Sequence, residues 1–254
     1  MNDASTAKLS DLPQLETKIH EFQKAMARYH ASFFYQNMGT AVAIVIISLQ
    51  FTTAIQFYSL SREIHPLQLI IPFLCAYILT DFINGLVHLF MDNNTLYTSF
   101  LGPLIAVFHM HHVTPRYIDR HPVKIYFYET GSKNWLLFYL AILASIQHGI
   151  ALPVRLNFCL VCIGILSSLA EVSHYWCHKP NNNPLIHCLQ NGGVLLSKKH
   201  HGIHHTADNK NYAFLNGVSD PLINFIADCI YDGYKSHSDL HAKAYQGPQT
   251  RNRR

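Results

Sequence analysis

The sequence has 254 residues, 49% of them hydrophobic and 13% charged, with a formal net charge of +4 at pH 7. An ordinary soluble domain carries about 25% charged residues; the low charge and the 12% aromatic content exclude a disordered chain or a nucleic-acid-binding tail, so no nucleic-acid partner is expected. Histidine is the anomaly, with 18 copies against 15 aspartates and glutamates, and imidazole is the commonest protein metal ligand.

In chain order, residues 1–37 are polar and amphipathic and carry no secretory signal pattern. Within them Leu15, Ile19, Phe22 and Met26 recur at helical spacing, with Lys18, Glu21 and Lys24 off that stripe. This predicts an amphipathic helix, either lying on a membrane surface or packing on the rest of the chain. Four hydrophobic stretches are then long enough to cross a bilayer, which needs about 20 apolar residues. They run from about Met38 to Leu60, Pro66 to Phe90, Trp135 to Val154 and Leu156 to Tyr175. The second carries Asp81 and the fourth carries Glu171 near its end, while Leu152-Pro153-Val154-Arg155 joins the last two as a tight hairpin. From about Gln246 to Arg254 the chain reads as a disordered basic tail, which leaves 38–245 as one membrane domain. The expected fold is an all-α integral membrane protein with about four transmembrane helices. Cys159 and Cys162 form a CxxC inside an apolar run with no second pair, which reads as helix packing.

Lysine and arginine set the orientation. Lys8, Lys18, Lys24 and Arg28 precede the first stretch, Arg116, Arg120, Lys124 and Lys133 lie between the second and third, and nine more follow the fourth. The two opposite loops hold only Arg62 and Arg155. The positive-inside rule therefore places both termini and the 91–134 loop in the cytoplasm. An endoplasmic reticulum membrane and a bacterial inner membrane fit equally.

On that topology eleven histidines gather on the cytoplasmic side as a histidine-rich, metal-binding cap. His174 and His178 are four apart on one helix face, with Glu171 one turn earlier, and His201 stands three and four residues before His204 and His205. Asp81, Asn84 and His88 share a face of the second stretch, where an ionisable group is a functional candidate by default. His111 and His112 are followed closely by Pro115. One zinc needs four ligands, so eight well-placed imidazoles suggest two metals; ligand type alone leaves iron, copper and zinc open.

These residues resemble the plasmanylethanolamine desaturase family of histidine-box lipid desaturases, with the chloroplast phosphatidylglycerol fatty-acyl desaturase more distantly similar. The matching segments are DFINGLVH (Asp81–His88), HMHHVTPRYIDRH (His109–His121), HYWCH (His174–His178), KKHHGIHH (Lys198–His205) and the stretch from Asn211-Tyr212 to Asn216-Gly217. The resemblance implies a di-iron centre held by His88, His111, His112, His174, His178, His201, His204 and His205, with O2 as co-substrate. His121, Asp81 and Glu171 are possible additional or supporting residues, whereas His109 and His200 fall beside the patterns. It also implies a membrane lipid substrate, most closely an alkyl-ether phospholipid converted to the vinyl ether of a plasmalogen. An external electron donor such as cytochrome b5 or a ferredoxin is implied, since no flavin, haem or iron–sulfur motif occurs in the chain. A fatty-acyl desaturase or lipid hydroxylase of the same histidine-box type is the near alternative. A non-catalytic metal-binding membrane protein predicts ionisable residues in mid-span, and a zinc hydrolase predicts an HExxH that does not occur.

Overall fold

The computed structural model describes residues 12–60, 64–113, 121–128 and 133–247, so the extreme N-terminus and the basic tail from 248 lie outside the described residues. Among the described residues the regular structure is wholly helical, and the protein is an all-α membrane protein. Eleven α-helices follow in order: α1 (Leu12–Ala31), α2 (Phe33–Leu60), α3 (Ile70–Asn93), α4 (Gly102–Val113), α5 (Pro122–Tyr128), α6 (Asn134–Gly149), α7 (Val154–His178), α8 (Pro184–Asn191), α9 (Lys198–His204), α10 (Asp220–Ile230) and α11 (Ser238–Lys243). A single tight turn, Pro66–Leu69, leads into α3.

Three segments are long and apolar enough to cross a membrane: Phe33–Ser59, Pro66–Asn93 and Val154–His178. The third expected stretch is shorter than the sequence suggests, because α6 stops at Gly149 after 16 residues, roughly 24 Å of helix. Residues 150–153 connect α6 to α7, whose first residue follows Pro153. α6 is thus well short of the roughly 37 Å of α7 and is not among the spanning segments, but the two helices still pair as the expected hairpin, with the Tyr139 hydroxyl donating to the Leu160 carbonyl at 2.8 Å. Phe51 and Ile55 of α2, Ile71 and Ile78 of α3, Phe138 and Ile142 of α6 and Ile165 of α7 form an exposed apolar belt. A belt of that extent suits hydrocarbon and not water.

Inside the belt the helices meet through small and polar side chains. Ala76 of α3 packs on Cys162, Ile163 and Leu166 of α7, with Cys159 at the margin, so the CxxC pair serves packing as expected. Gln50 donates to the Gly164 carbonyl at 2.8 Å and to Ser168 at 2.7 Å, and Gln147 donates to Asn157 at 2.6 Å. Such bonds satisfy polar groups where water cannot.

The amphipathic α1 takes the second of its two expected roles. Phe22, Ala25 and Met26 are buried against Tyr97, Ile105, Ala106, Met110 and Ala242, so α1 packs on α4 and α11. Phe22 meets Tyr97 edge to face at 5.1 Å between ring centroids. Phe22→Ala is expected to cost about 3–5 kcal/mol, seen as a lower thermal unfolding midpoint and early proteolysis within α1. With α1 docked in this way, α4, α9 and α11 cover the end of the bundle where α3 and α7 finish.

Candidate metal centre

Four elements converge at that end. α3 contributes His88 and Asp92, α4 contributes His111 and His112, and α7 contributes His174 and His178. α9 carries His201 and His204, with His205 as its C-cap residue. Its helical start is set by Ser197, whose hydroxyl accepts from the His200 N–H, an N-cap of the usual kind. Its end is held from outside: the Tyr234 hydroxyl donates to the His204 carbonyl, and Lys235 donates to the His205 carbonyl at 2.8 Å. A cation at a helix C-terminus is favourable for the same reason the carbonyls there lack helical partners.

The eight predicted histidines all enter three overlapping groups whose ligand atoms lie within 4.8 Å of one another: His88, Asp92, His111, His112 and His204; His111, His174 and His178; and His178, His201 and His205. In the first, Asp92 Oδ2 lies 3.3 Å from both His88 Nε2 and His204 Nε2, and Oδ1 lies 3.4 Å from His112 Nε2. Around the third, Nε2 atoms stand 3.0 Å apart for His178–His174, His178–His201 and His201–His205, and 3.1 Å apart for His174–His201. Two nitrogens bound at about 2.0–2.1 Å to one ion lie about 2.9 Å apart at right angles and about 3.4 Å apart at the tetrahedral angle. The observed separations fall in that interval.

Hydrogen bonds on the outer side of each ring decide which nitrogen faces inward. His88 Nδ1 lies 2.8 Å from the Tyr212 carbonyl, His111 Nδ1 2.6 Å from that of Phe108, and His204 Nδ1 3.1 Å from that of Lys210. His112 Nδ1 lies 2.6 Å from Asp239 Oδ1. Carbonyl and carboxylate oxygens only accept, so in these four rings Nδ1 carries the hydrogen and Nε2 presents a bare lone pair. Metal-binding histidines are oriented in this manner. His88 Nε2, His111 Nε2 and both Asp92 oxygens are buried without a hydrogen bond among the described residues, an arrangement of acceptor against acceptor that a cation resolves. Burial first, and then the neighbouring imidazoles, hold His111, His112, His201 and His204 well below the ordinary histidine range and bring His205 down to about 3. The donor set therefore fits divalent metal: neutral imidazoles, one carboxylate and no competing N–H at the inward positions of the first group.

The second set of rings is held differently. His174 stacks on Phe214 at 4.1 Å and 7°, while His201 Nδ1 and His205 Nδ1 are buried without a hydrogen bond among the described residues. Packing orients His174, where backbone carbonyls and the Asp239 carboxylate orient the rings of the first group.

A family model described as "Lipid desaturase domain" matches residues 77–227, the stretch that contains every residue of these groups. The chain belongs to this family. It is 29% identical over 179 residues to plasmanylethanolamine desaturase 1 of Mus musculus, covering 66% of this chain and 65% of that protein. It is 31% identical over 162 residues to the chloroplastic fatty acid desaturase 4 of Arabidopsis thaliana, covering 59% of this chain and 46% of that one. The chain thus spans less than two thirds of either relative's length, and no solved structure matches it significantly.

Three residues marked as possible supports lie elsewhere in this lipid desaturase domain. Asp81 is fully buried but anchors a loop: its carboxylate accepts from the N–H groups of Leu215, Asn216, Gly217 and Ser219 and from the Ser219 hydroxyl, at 2.6–3.2 Å. Glu171 is half-buried and joins none of the groups. It lies near Tyr126, whose phenol is pushed up to about 12 by burial and, to a smaller degree, by the Glu171 charge against a hydrogen bond from Ser168. His121 is exposed at the start of α5, with its Nδ1 3.4 Å from the Val123 N–H, and also joins none of them. His109 and His200 are likewise outside: His109 bridges Tyr97 and the Met91 carbonyl, and His200 pairs with Asp220 at 2.6 Å.

Asp92 and Asp239 were not singled out in the sequence. Asp92 follows His88 by four residues, the same spacing that marks His174 with His178, so helical periodicity alone could have found it.

Proposed function

We propose that this protein is a membrane lipid desaturase whose His88, His111, His112, His174, His178, His201, His204 and His205 hold two iron ions, with Asp92 as a carboxylate ligand. The observation that carries this reading is the first group, where four oriented lone pairs and a carboxylate meet with no proton between them. Family membership supports lipid desaturation over other uses of such a site. When bound, iron supplies the activation of O2 that the reaction requires.

The balance of the reaction sets what the protein must manage. Two hydrogens leave adjacent chain carbons, and O2 takes two electrons from those C–H bonds and two from an external donor; with two further protons it becomes two waters. The donor is of the cytochrome b5 or ferredoxin type. The chain's own residues keep the rings neutral, hold Nε2 inward and exclude water from the first group. The substrate we favour is an alkyl-ether phospholipid, and the product is the vinyl ether of a plasmalogen. In this reading both termini and the histidine end face the cytoplasm, at the membrane boundary near which the first carbons of a lipid chain lie.

The test is expression in a host without such activity, supplied with an alkyl-ether lipid and followed by mass spectrometry of total lipids. The expected product has lost two hydrogens, is cleaved by mild acid, and is absent with His201→Ala. An acid-stable product with the same mass loss would move the substrate to ester-linked acyl chains. A gain of one oxygen would make the protein a hydroxylase, and no change with iron and donor present would overturn the reading.

A further inference from the structure

Between α7 and α11 the chain leaves the histidine end of the bundle twice and returns twice. The first excursion is closed at its mouth by Lys198, whose Nζ donates to the Pro180 carbonyl at 2.8 Å, just past the end of α7. The second is closed by the ion pair of Lys210 with Asp228 at 3.0 Å, both side chains exposed. At their far ends both are tied to α3. The Tyr77 hydroxyl donates to the Val194 carbonyl, and Asp81 accepts from the N–H groups of Leu215, Asn216, Gly217 and Ser219. Tyr77 and Asp81 flank the midpoint of the apolar span Pro66–Asn93, so both tips reach the depth at which this helix is half-way across.

The backbone of these tips suits that depth. Irregular chain enters hydrocarbon only where protein satisfies its polar groups. The N–H groups of Gly192, Gly193, Val194 and Leu195 donate to carbonyls of residues 188–190 at 2.9–3.3 Å, and that of Leu196 crosses to the Leu215 carbonyl at 2.7 Å. In the second tip the Val218 N–H donates to Asn216 Oδ1 at 2.8 Å, and Asp81 takes the others from 215 to 219. α10 then climbs back beside α3. Asp81 holds Ser219 at its foot, Ile223 lies against Gly85, and Ala227 shares a buried cluster with Leu89. Its 11 residues rise about 16 Å, half of a hydrocarbon core about 30 Å thick. The sides turned away from protein carry large, apolar, exposed residues: Leu185 and Val194 on the first excursion, Val218, Leu222 and Phe225 on the second. They continue the apolar belt of α2, α3, α6 and α7.

We infer that segments 184–196 and 211–227 are re-entrant: they enter the membrane from the histidine end, turn near its middle and return, with Leu222 and Phe225 of α10 against phospholipid chains. The inference requires α3 to span the membrane and is independent of the reaction the centre performs. Its consequence is positional. α9, with His201 and His204, lies on the stretch between the two excursions. Two membrane-embedded anchors, and not the packing of a water-exposed cap alone, therefore fix how deep the metal centre sits.

The test uses the full chain in phosphatidylcholine nanodiscs containing a trace of phosphatidylcholine with a diazirine at mid-chain, mapped by peptide after photolysis. Peptides containing residues 218–225 are expected to take label within about threefold of those covering the α3 belt at 70–79, as exposed apolar side chains at similar depth should. The first excursion, which also exposes His187 and Asn191, should take less. A second arm uses Phe225→Cys, a change at an exposed side chain that leaves the core intact, and a charged maleimide that stays in water. Its thiol is expected to react at least about tenfold more slowly than that of Ser236→Cys, at an exposed position between α10 and α11, because charge is excluded from hydrocarbon. Reaction of Phe225→Cys as fast as that of Ser236→Cys would lay α10 in water or on the membrane surface and overturn the proposal. Slow reaction with no lipid label on 218–225 would overturn it too, by showing another copy of the chain over α10.

Discussion

Asp92→Asn is expected to leave the protein folded and remove about one of the two iron ions proposed above, with activity lost by more than the roughly 10–100-fold typical of outer partners of metal ligands. The expectation follows from the position of the carboxylate. Its two oxygens lie 3.3–3.4 Å from the Nε2 atoms of His88, His112 and His204. Three of the facing nitrogens, including His204, have their hydrogens committed outward to carbonyl or carboxylate oxygens. Without a cation, the buried Asp92 carboxylate and these lone pairs are satisfied only by taking up a proton, a cost the metal removes. An asparagine there keeps the shape and offers N–H groups to the same lone pairs, so the variant without metal should unfold at or above the midpoint of the stripped wild type. Elemental analysis of metal per chain and thermal unfolding with and without chelator measure the two effects separately. Full iron content with wild-type activity would reduce Asp92 to a structural residue.

Why the sequence pointed to the histidines and not to Asp92 is physical. Eight imidazoles in four spaced sets are rare enough to stand out in any composition, and helical periodicity pairs them without knowledge of the fold. A lone acid near the end of an apolar stretch looks like an ordinary interfacial residue. The groups that orient the rings are less legible still, because three of them are the backbone carbonyls of Phe108, Lys210 and Tyr212. A carbonyl is present at every residue and its direction belongs to the fold. The direction here depends on Asn209 and Asn211, which adopt left-handed conformations with φ of 54° and 59°, one of the few turns that side chains other than glycine tolerate. That turn carries the Lys210 and Tyr212 carbonyls to His204 and His88, which gives the Asn211-Tyr212 stretch a role that spacing alone could not supply. The ambiguity over α1 has a similar cause. A stripe of Phe22 and Met26 has the same period whether it meets lipid or protein, and only the partner surface of Tyr97, Ile105 and Ala242 distinguishes them.

A large stability effect is expected from Asp81→Ala. Five hydrogen bonds converge on this one carboxylate, four from consecutive or near-consecutive backbone N–H groups at 215–219 and one from the Ser219 hydroxyl. The side chain is fully buried, and its charge is met by donors alone, an oriented nest of the kind that holds anions. Each donor orphaned in such a place costs about 1–3 kcal/mol, with losses that do not simply add. A total near 4 kcal/mol is a large part of a net stability of about 5–15 kcal/mol. Asp81→Asn is expected to recover part of the loss, because its Oδ1 can still accept from Leu215, Asn216 and Gly217 while its NH2 faces the two Ser219 donors. The damage should also reach the metal centre by a traceable route. The anchored loop begins one residue after Phe214, which stacks on His174, and three after Tyr212, whose carbonyl orients His88. Asp81→Ala should therefore lower the unfolding midpoint and also speed the loss of iron to a chelator below that midpoint, while Phe22→Ala should lower the midpoint with little change in that rate. Equal chelator sensitivity in the two variants would mean that Asp81 stabilises the fold without positioning the centre. A selective increase for Asp81→Ala would identify Asp81 as a support of the site, acting through the loop it pins and not through a bond to the metal.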